Sequence, residues 1–186
     1  MKTMHMVRGT VSLLCMVCVL MFGVQTYSYA VSAKNINAGV DLSLKTLRNV
    51  EGGGDVMDKA KGLLVFPGVF KAAAGAGAEY GEGALIIDGH TAGYYSTAAA
   101  SIGLQLGGEK KSIVIAFMTE GSLRKFQESK GWKIGADASV AVITKGTGSM
   151  VSTSAGEKPI VAFVFDQKGL MFDLSLNGAK VTKIQR

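Results

Sequence analysis

The sequence predicts an α+β domain: N-terminal helices followed by a curled antiparallel β-sheet or barrel, with one helix inserted between two strands. Two observations predict it. Apolar residues recur every three or four positions between residues 34 and 50, which is the helical period. From Leu63 onward, apolar residues come in short runs rich in β-branched and aromatic side chains, separated by glycine-bearing turns. Helices followed by strands are typical of the α+β class.

The first helix is predicted over residues 34–50, and the glycines at 52–54 stop it. A second, shorter helix starts at Asp55 as N-cap and runs to Gly62. The predicted strands are LLVF, GALIID, SIVIAFM, ASVAVIT, PIVAFVF and LMFDLSL, with turns at DGH, LGGEKK and DQKG. The inserted helix lies in TEGSLRKFQESKGW, and the turn pair Asn177-Gly178 precedes one last strand.

The first thirty residues have the three parts of a secretory signal. Two basic residues precede an apolar stretch from Val11 to Val24, and Ser28-Tyr29-Ala30 has the small residues that signal peptidase reads. We expect cleavage after Ala30, with Ala33 as the alternative. An uncleaved anchor is disfavoured because the apolar stretch is shorter than the ~20 residues of a spanning helix. The sequence therefore predicts an exported protein, periplasmic or secreted, whose mature chain is residues 31–186.

Composition narrows the function classes open to this mature chain. Both cysteines, Cys15 and Cys18, lie in the signal segment, so residues 31–186 have no disulfide and rely on one hydrophobic core. The one remaining histidine, His90, excludes Cys/His nucleophilic pairs and zinc sites built from several such ligands. Loss of the signal lowers the net charge from +6 to +4, too small a surplus to indicate nucleic acid. We predict no metal, no cofactor and no nucleic-acid partner.

A glycine run at Gly75, Gly77, Gly81 and Gly83 invites comparison with phosphate-binding loops. Such a loop needs a helix directly behind it, whereas the strand-like ALIIDG follows here. Glycines at every second position line one face of a strand, where they let another backbone or a ring approach closely or let a sheet bend. The run therefore predicts close packing rather than nucleotide binding.

Ser122 and Lys125 match the S-x-x-K pattern of some acyl-transferring serine enzymes. The S-D-N and K-T-G motifs that accompany it in those enzymes are absent from the sequence. A serine at this position, near the start of a predicted helix, is typical of a cap. We predict that the protein is not an enzyme, and a hydrolase using Ser122 and Lys125 is the alternative.

Basic residues lie beside apolar ones in three stretches: around LLVFPGVF, in the predicted LGGEKK turn and along the inserted helix. Each Lys or Arg near an anionic membrane contributes up to about 1 kcal/mol, so four or five together suffice for reversible docking. The alternative is a solvated charged face, and for the two phenylalanines a place in the core. The candidate lipid-binding residues are Lys59, Lys61, Lys71, Lys110, Lys111, Arg124 and Lys125, with Phe66 and Phe70 as apolar contacts.

Long stretches of the sequence resemble the SYLF domain family. They include AKGLLVFPGVFKAAAGAGAEYGEGALI and PIVAFVFDQKGLMFDLSLNGAKVTKI, and the resemblance runs from about Lys59 to Ile184. It implies a single lipid-binding domain over residues 31–186, without catalysis. Eukaryotic relatives bind phosphoinositides, with an amphipathic N-terminal helix implicated, and some bind actin. The resemblance thus implies an anionic phospholipid membrane as the partner, and a structural or protein-interaction module of the cell envelope is the alternative.

Overall fold

The computed structural model describes residues 31–137, 139–144, 158–169, 176 and 178–186. The predicted signal segment, residues 1–30, and most of the predicted LMFDLSL strand lie outside these residues. The predicted α+β class is confirmed, because two helices precede the sheet and a third is inserted within it. The described elements are α1 (Ala33–Arg48), α2 (Gly53–Lys59), β1 (Gly62–Ile87), β2 (His90–Phe117), α3 (Glu120–Glu128), β3 (Trp132–Lys133), β4 (Ala141–Thr144), β5 (Ile160–Gly169) and β6 (Lys180–Ile184).

Helix α1 forms where the helical period predicts it. Ser32 is its N-cap, and the Ser32 side chain accepts a hydrogen bond from the backbone N–H of Asn35 at 3.3 Å. The glycines behind α1 also begin the next helix, since Gly52 is the N-cap of α2 and has a φ of 71°. The predicted start of the second helix at Asp55 is therefore wrong. Glycine suits this N-cap because a left-handed backbone has no steric cost without a Cβ.

Strands β1 and β2 form one long antiparallel hairpin, from Gly62 opposite Phe117 to Ile87 opposite His90. Its turn, Asp88-Gly89, has φ angles of 51° and 76°, as in a type I′ turn, and confirms the predicted DGH turn. The predicted strands LLVF and GALIID are the two ends of β1. The predicted turns LGGEKK and DQKG are wrong, because these residues lie within β2 and β5.

The described strands form one six-stranded sheet. β1 pairs with β2 along nearly its whole length, while β6 pairs with the first half of β2 and β5 with the second half. β4 runs parallel to β5, so the sheet is mixed rather than purely antiparallel. The predicted last strand is confirmed as β6, which Gly178 precedes with a φ of 83°.

The hairpin bends at Gly75, so each of its strands has two arms. Ala74 and Ala76 pair with Leu106 and Ile102, which means that β2 takes four residue steps where β1 takes two. Across the bend the arms of β1 meet: a Cβ on Gly83 would lie 1.9 Å from the carbonyl oxygen of Val65. The sheet therefore curls. The predicted close packing is confirmed for Gly77, Gly81 and Gly83, whereas a Cβ on Gly75 would find no atom within 4 Å.

Two apolar clusters hold the curled sheet together. The inner cluster lies between the arms of the hairpin and includes Phe66, which is 1% exposed, so Phe66 is a core residue. Helix α3 contributes Phe126, whose ring lies 4.9 Å from that of Phe117 and 5.4 Å from that of Trp132. The outer cluster lies beneath α1 and α2 and covers the sheet's other face. The sheet is therefore buried on both faces near the Gly62–Phe117 end of the hairpin, which stabilises that end.

Candidate functional site

A bulge at Pro67-Gly68 decides which side chains of the first arm face inward. Phe66 is opposite Ile113 and Val69 is opposite Lys111, so β1 takes three steps where β2 takes two. Side chains alternate along a strand, so without the bulge Phe70 would share the inner face with Phe66. With the bulge, Lys71 is buried and Phe70 is exposed. The Ser112 hydroxyl donates a hydrogen bond to the Pro67 carbonyl oxygen at 3.1 Å and satisfies it within the bulge.

Four buried charged residues lie on the inner face near the bend, and we call them the inner charged cluster: Lys71, Glu79, Glu109 and Lys111. The Lys111 ammonium lies 2.9 Å from a Glu79 carboxylate oxygen. Lys71 is directly opposite Glu109, which also accepts a hydrogen bond from the Gln167 amide at 3.3 Å. Two lysines offset two glutamates, so the cluster buries no net charge. Pairing matters because an uncompensated buried charge is strongly destabilising.

Burial corrects three of the sequence-predicted lipid contacts: Phe66, which is a core residue, and the two lysines Lys71 and Lys111. Lys71 is 5% exposed and Lys111 is 1% exposed, so neither lies on the surface where an anionic membrane would meet it. The bulge turns Lys71 inward, and Lys111 shares the inner face of β2 with Ile113. Their neighbour Lys110 is exposed, because alternate residues of a strand point to opposite faces. Of the predicted lysine pair, Lys110 alone lies on the outside.

The outer face at the bend is apolar and exposed, and we call it the alanine face. No helix among the described residues covers it. Alanines dominate it, two aromatic side chains stand at its ends, and Lys110 is its charged member. All of its residues are exposed: Phe70, Ala72, Ala74, Ala76, Ala78 and Tyr80 on β1, and Ala98, Ala100, Ile102, Leu106, Gly108 and Lys110 on β2.

Two clefts adjoin the alanine face, and both are lined by Lys110 and Lys168. The larger, about 450 Å³, lies between Phe70 and Tyr80. The smaller, about 330 Å³, is lined also by Leu42 of α1. The Lys110 ammonium sits 5.2 Å from the centre of the Phe70 ring, within the range of a cation–π contact. Lys168 is directly opposite Lys110 on β5, so two exposed ammonium groups share one edge of this face.

Tyr80 is tied to the C-terminal residue at the other edge. Its hydroxyl donates a hydrogen bond to Glu82 at 2.7 Å, and the same carboxylate pairs with the Arg186 guanidinium. Burial raises the pKa of Tyr80, and the hydrogen bond to Glu82 raises it further. The hydrogen bond to Glu82 holds the Tyr80 hydroxyl at this edge of the cleft.

The remaining predicted basic residues lie at the other end of the first arm. Lys59 ends α2, Lys61 precedes β1, and Arg124 and Lys125 are exposed on α3. Lys61 pairs with Glu120 of α3 at 3.9 Å. Gly62 and Phe70 are eight residue steps apart along β1, roughly 25 Å at about 3.3 Å per residue. The structure therefore divides the candidate cations into two separate groups.

Ser122 and Lys125 lie on α3, but Thr119 is the N-cap of that helix, so the predicted cap at Ser122 is wrong. The Ser122 hydroxyl oxygen lies 2.8 Å from the Thr119 carbonyl oxygen and 3.0 Å from that of Pro159. Within the described part of the chain, no cluster of three or more His, Cys, Asp or Glu residues could hold a metal ion.

None of the described helices combines the length and the apolar composition required to cross a membrane.

Sequence reasoning missed Lys168, Tyr80, Ile102 and Leu106. Lys168 was assigned to a turn, although β5 carries it opposite Lys110. The apolar residues left a signal in the sequence. In AAAGAGA every residue other than glycine is alanine, and STAAASI contains three further alanines in a row. Such a strand has alanine on one side and charged residues on the other. The rule that apolar residues are buried predicts that the alanine side faces inward, which is the opposite of what the structure has.

Comparison with known families matches residues 98–186 to the Ysc84 family model, described as Las17-binding protein actin regulator. The match starts within the alanine face and contains Lys110, Lys168 and all of β5 and β6. No curated protein matches the sequence.

Proposed function

We propose that this chain, which belongs to the SYLF domain family, is an exported, non-catalytic protein that binds membranes of anionic phospholipid. The observation that carries the proposal is the exposed alanine face with Lys110 and Lys168 at its edge. A continuous apolar surface on a folded domain is typical of an interaction site. The paired cations at its edge favour an anionic partner.

The electrostatics of this edge favour a bound anion. Like charges directly opposite each other on neighbouring strands destabilise a sheet. Lys110 and Lys168 are such a pair, and both are exposed. An anionic phosphate between the two ammonium groups would relieve their repulsion, and Phe70 beneath Lys110 offers an apolar contact beside it.

Export is proposed from the signal-like segment, and the structure of α1 favours cleavage after Ala30 over Ala33. Ser32 caps α1 through its side chain. Cleavage after Ala33 would remove this cap, which is worth about 1 kcal/mol in a typical helix. N-terminal sequencing of the processed protein tests this point: we expect Val31 as the first residue, and a start at Lys34 would contradict it.

Vesicle co-flotation tests the membrane proposal. Residues 31–186 are used, because both apolar clusters lie within them and they form one compact unit. Circular dichroism and a cooperative thermal transition first establish that this unit is folded. We expect flotation with anionic vesicles, weaker at high salt, and little with zwitterionic vesicles, because salt screens exposed charges. No flotation with anionic vesicles at low salt would overturn the proposal and favour an envelope protein as partner.

A charge reversal assigns the binding to one group of cations. Changing both Lys110→Glu and Lys168→Glu should weaken binding to anionic vesicles at least tenfold, since each basic residue contributes up to about 1 kcal/mol and each is replaced by a repelling charge. The matched control, Arg124→Glu with Lys125→Glu, makes the same charge change on α3 and should retain most of the binding. Equal losses in both variants would contradict a specific role for the alanine-face edge.

The non-catalytic part of the proposal has its own test. An acyl-serine probe should leave the protein unlabelled. Labelling that disappears in Ser122→Ala would contradict the proposal and favour a hydrolase that uses Ser122 and Lys125.

A further inference from the structure

The bend of the long hairpin carries the most exposed large apolar side chains of the described chain. Ile102 is 96% exposed and Leu106 is 80% exposed. They pair with Ala76 and Ala74, on either side of Gly75, where a Cβ would find no atom within 4 Å. The described side chains of the bend therefore form an exposed apolar tip, in which Ala74, Gly75 and Ala76 lie beside two large residues.

Lysines stand behind this tip on both arms at matching distances. On the second arm of β2, Lys110 follows Leu106 by four residues, with Lys168 opposite it on β5. On the first arm of β2, Ala98 precedes Ile102 by four residues, and the exposed Lys180 of β6 lies opposite Ala98. Four strand residues span ~13 Å at about 3.3 Å per residue. Cations therefore flank the tip at the same height on both sides.

We propose that the bend, led by Ile102 and Leu106, inserts into an anionic membrane to the level at which Lys110, Lys168 and Lys180 contact lipid phosphates. This inference rests on the proposed function and specifies which surface enters the bilayer and how the protein is oriented. Amphipathic elements that lie in the membrane interface bury their apolar side about 5–10 Å deep, at the boundary of headgroups and acyl chains. A tip that leads its lysines by ~13 Å places side chains at that depth and ammonium groups among the phosphates.

Helix α1 supplies the competing insertion site within the same protein. Leu42 is exposed on α1 and lines the smaller cleft with Lys110 and Lys168. The other large apolar side chains of α1 are buried or, at Leu44, partly buried, so Leu42 is the exposed large apolar residue of this helix and lies among polar ones. The bend instead combines its two large residues with the exposed alanines of the alanine face.

Site-specific fluorescence tests the orientation. Residues 31–186 contain no cysteine, so single cysteines carry the environment-sensitive probe without background. The labelled positions are Ile102→Cys and Leu106→Cys at the bend, Leu42→Cys on α1, and Val142→Cys on β4 as a matched exposed apolar control. With anionic phospholipid vesicles we expect the emission of the probe to shift to the blue at 102 and 106 and to be quenched there by lipids carrying nitroxides. The emission of the probe at 142 should not shift.

The outcomes separate the inference from the proposed function. Flotation of the unlabelled protein without any shift at 102 and 106 overturns the inference alone, as does a shift confined to 42. A blue shift of the emission at 102 with rising protein concentration, in the absence of vesicles, also overturns the inference, because the bend would then contact a second copy of the chain. Absence of flotation overturns the proposed function and the inference together. As a second readout, Ile102→Ser with Leu106→Ser should weaken vesicle binding at least tenfold without changing the thermal transition.

Discussion

The helix-covered end of the hairpin and its bend bury opposite kinds of side chain. At the helix-covered end both faces of the sheet are apolar, with Val114 and Ala116 packed under the helices and Ile113 and Ile115 turned inward. At the bend the inner face holds the inner charged cluster, while the outer face presents alanine, phenylalanine and leucine to solvent. The first arrangement follows from the hydrophobic effect. The second inverts it.

The difference separates the part of the hairpin that is packed on both faces from the part whose outer face is left exposed. Apolar burial on two faces stabilises the helix-covered end, so the bend does not need its outer face for folding. An exposed apolar face has no stabilising role in the isolated domain, which favours a role in binding. The inner charged cluster occupies the buried inner face of the bend, where the pairing of Lys111 with Glu79 offsets the cost of burying the two charges. Four changes test this comparison.

Removal of one charge from the inner charged cluster should have the largest effect. Lys111→Met leaves Glu79 buried without its 2.9 Å partner. We expect the free energy of unfolding to fall by about 3–5 kcal/mol in urea titrations, the typical cost of breaking a buried ion pair. Adding Glu79→Gln should restore most of the loss.

The matched control for that change is an exposed pair. Arg48 and Asp58 lie 3.2 Å apart, with more than half of each side chain exposed. Arg48→Ala should change the free energy of unfolding by less than about 1 kcal/mol. Equal effects at Lys111 and Arg48 would show that the cluster does not hold the bend.

Closing the space between the two arms should have the next largest effect. In Gly83→Ala the new methyl group would meet the Val65 carbonyl oxygen, which lies on backbone and cannot move aside easily. We expect a loss of about 3 kcal/mol, at the upper end of typical overpacking costs. Gly121→Ala on α3 is the control, because nothing lies within 4 Å and alanine should stabilise the helix slightly. A Gly83→Ala protein as stable as the wild type would contradict the close contact between Gly83 and the Val65 backbone.

The C-terminal tie should have a smaller effect. Arg186 pairs with Glu82, which also accepts the Tyr80 hydrogen bond. Arg186→Ala should lower the free energy of unfolding by about 2 kcal/mol, typical of a hydrogen bond to a charged group. Arg186→Lys should restore part of it by charge alone. Differential scanning calorimetry of the three proteins decides whether the terminus contributes.

Alkaline pH should produce the smallest change. Burial raises the pKa of Tyr95 above its ordinary value of about 10, because the phenolate is costly inside the inner cluster. A raised pKa favours the protonated fold, so this contribution is complete below pH ~10 and is lost as pH rises through the folded pKa. In Tyr95→Phe the free energy of unfolding should fall less steeply above pH ~10 than in the wild type. Parallel curves for the two proteins would contradict it.

The sequence by itself determined the elements that depend on local chemistry. The helical period predicted the bounds of α1 to within two residues, and the glycine-bearing DGH segment predicted a turn, which has the φ angles of type I′. The glycines at every second position predicted the close approach of another backbone, which Gly83 and Val65 make. The helix and the turn depend on neighbouring residues in the chain, so period and turn chemistry were enough to predict them. The glycine spacing predicted a close approach, whereas the tertiary structure decided that Val65 is the partner of Gly83.

Only the tertiary structure decided which face of the hairpin is inside. Sequence rules place Lys71 and Lys111 outside and Phe70 inside, and they read LGGEKK as a turn. The Pro67-Gly68 bulge shifts the alternation by one residue, and the return of the second arm supplies Glu79 as a buried partner for Lys111. A lysine is buried when a carboxylate distant in sequence meets it there. The same shift exposes the β1 side of the alanine face, because a bulge of one residue moves every following side chain of that strand to the other face. A separate register shift between β2 and β5, with three steps from Phe165 to Lys168 against two from Ser112 to Lys110, places Lys168 opposite Lys110.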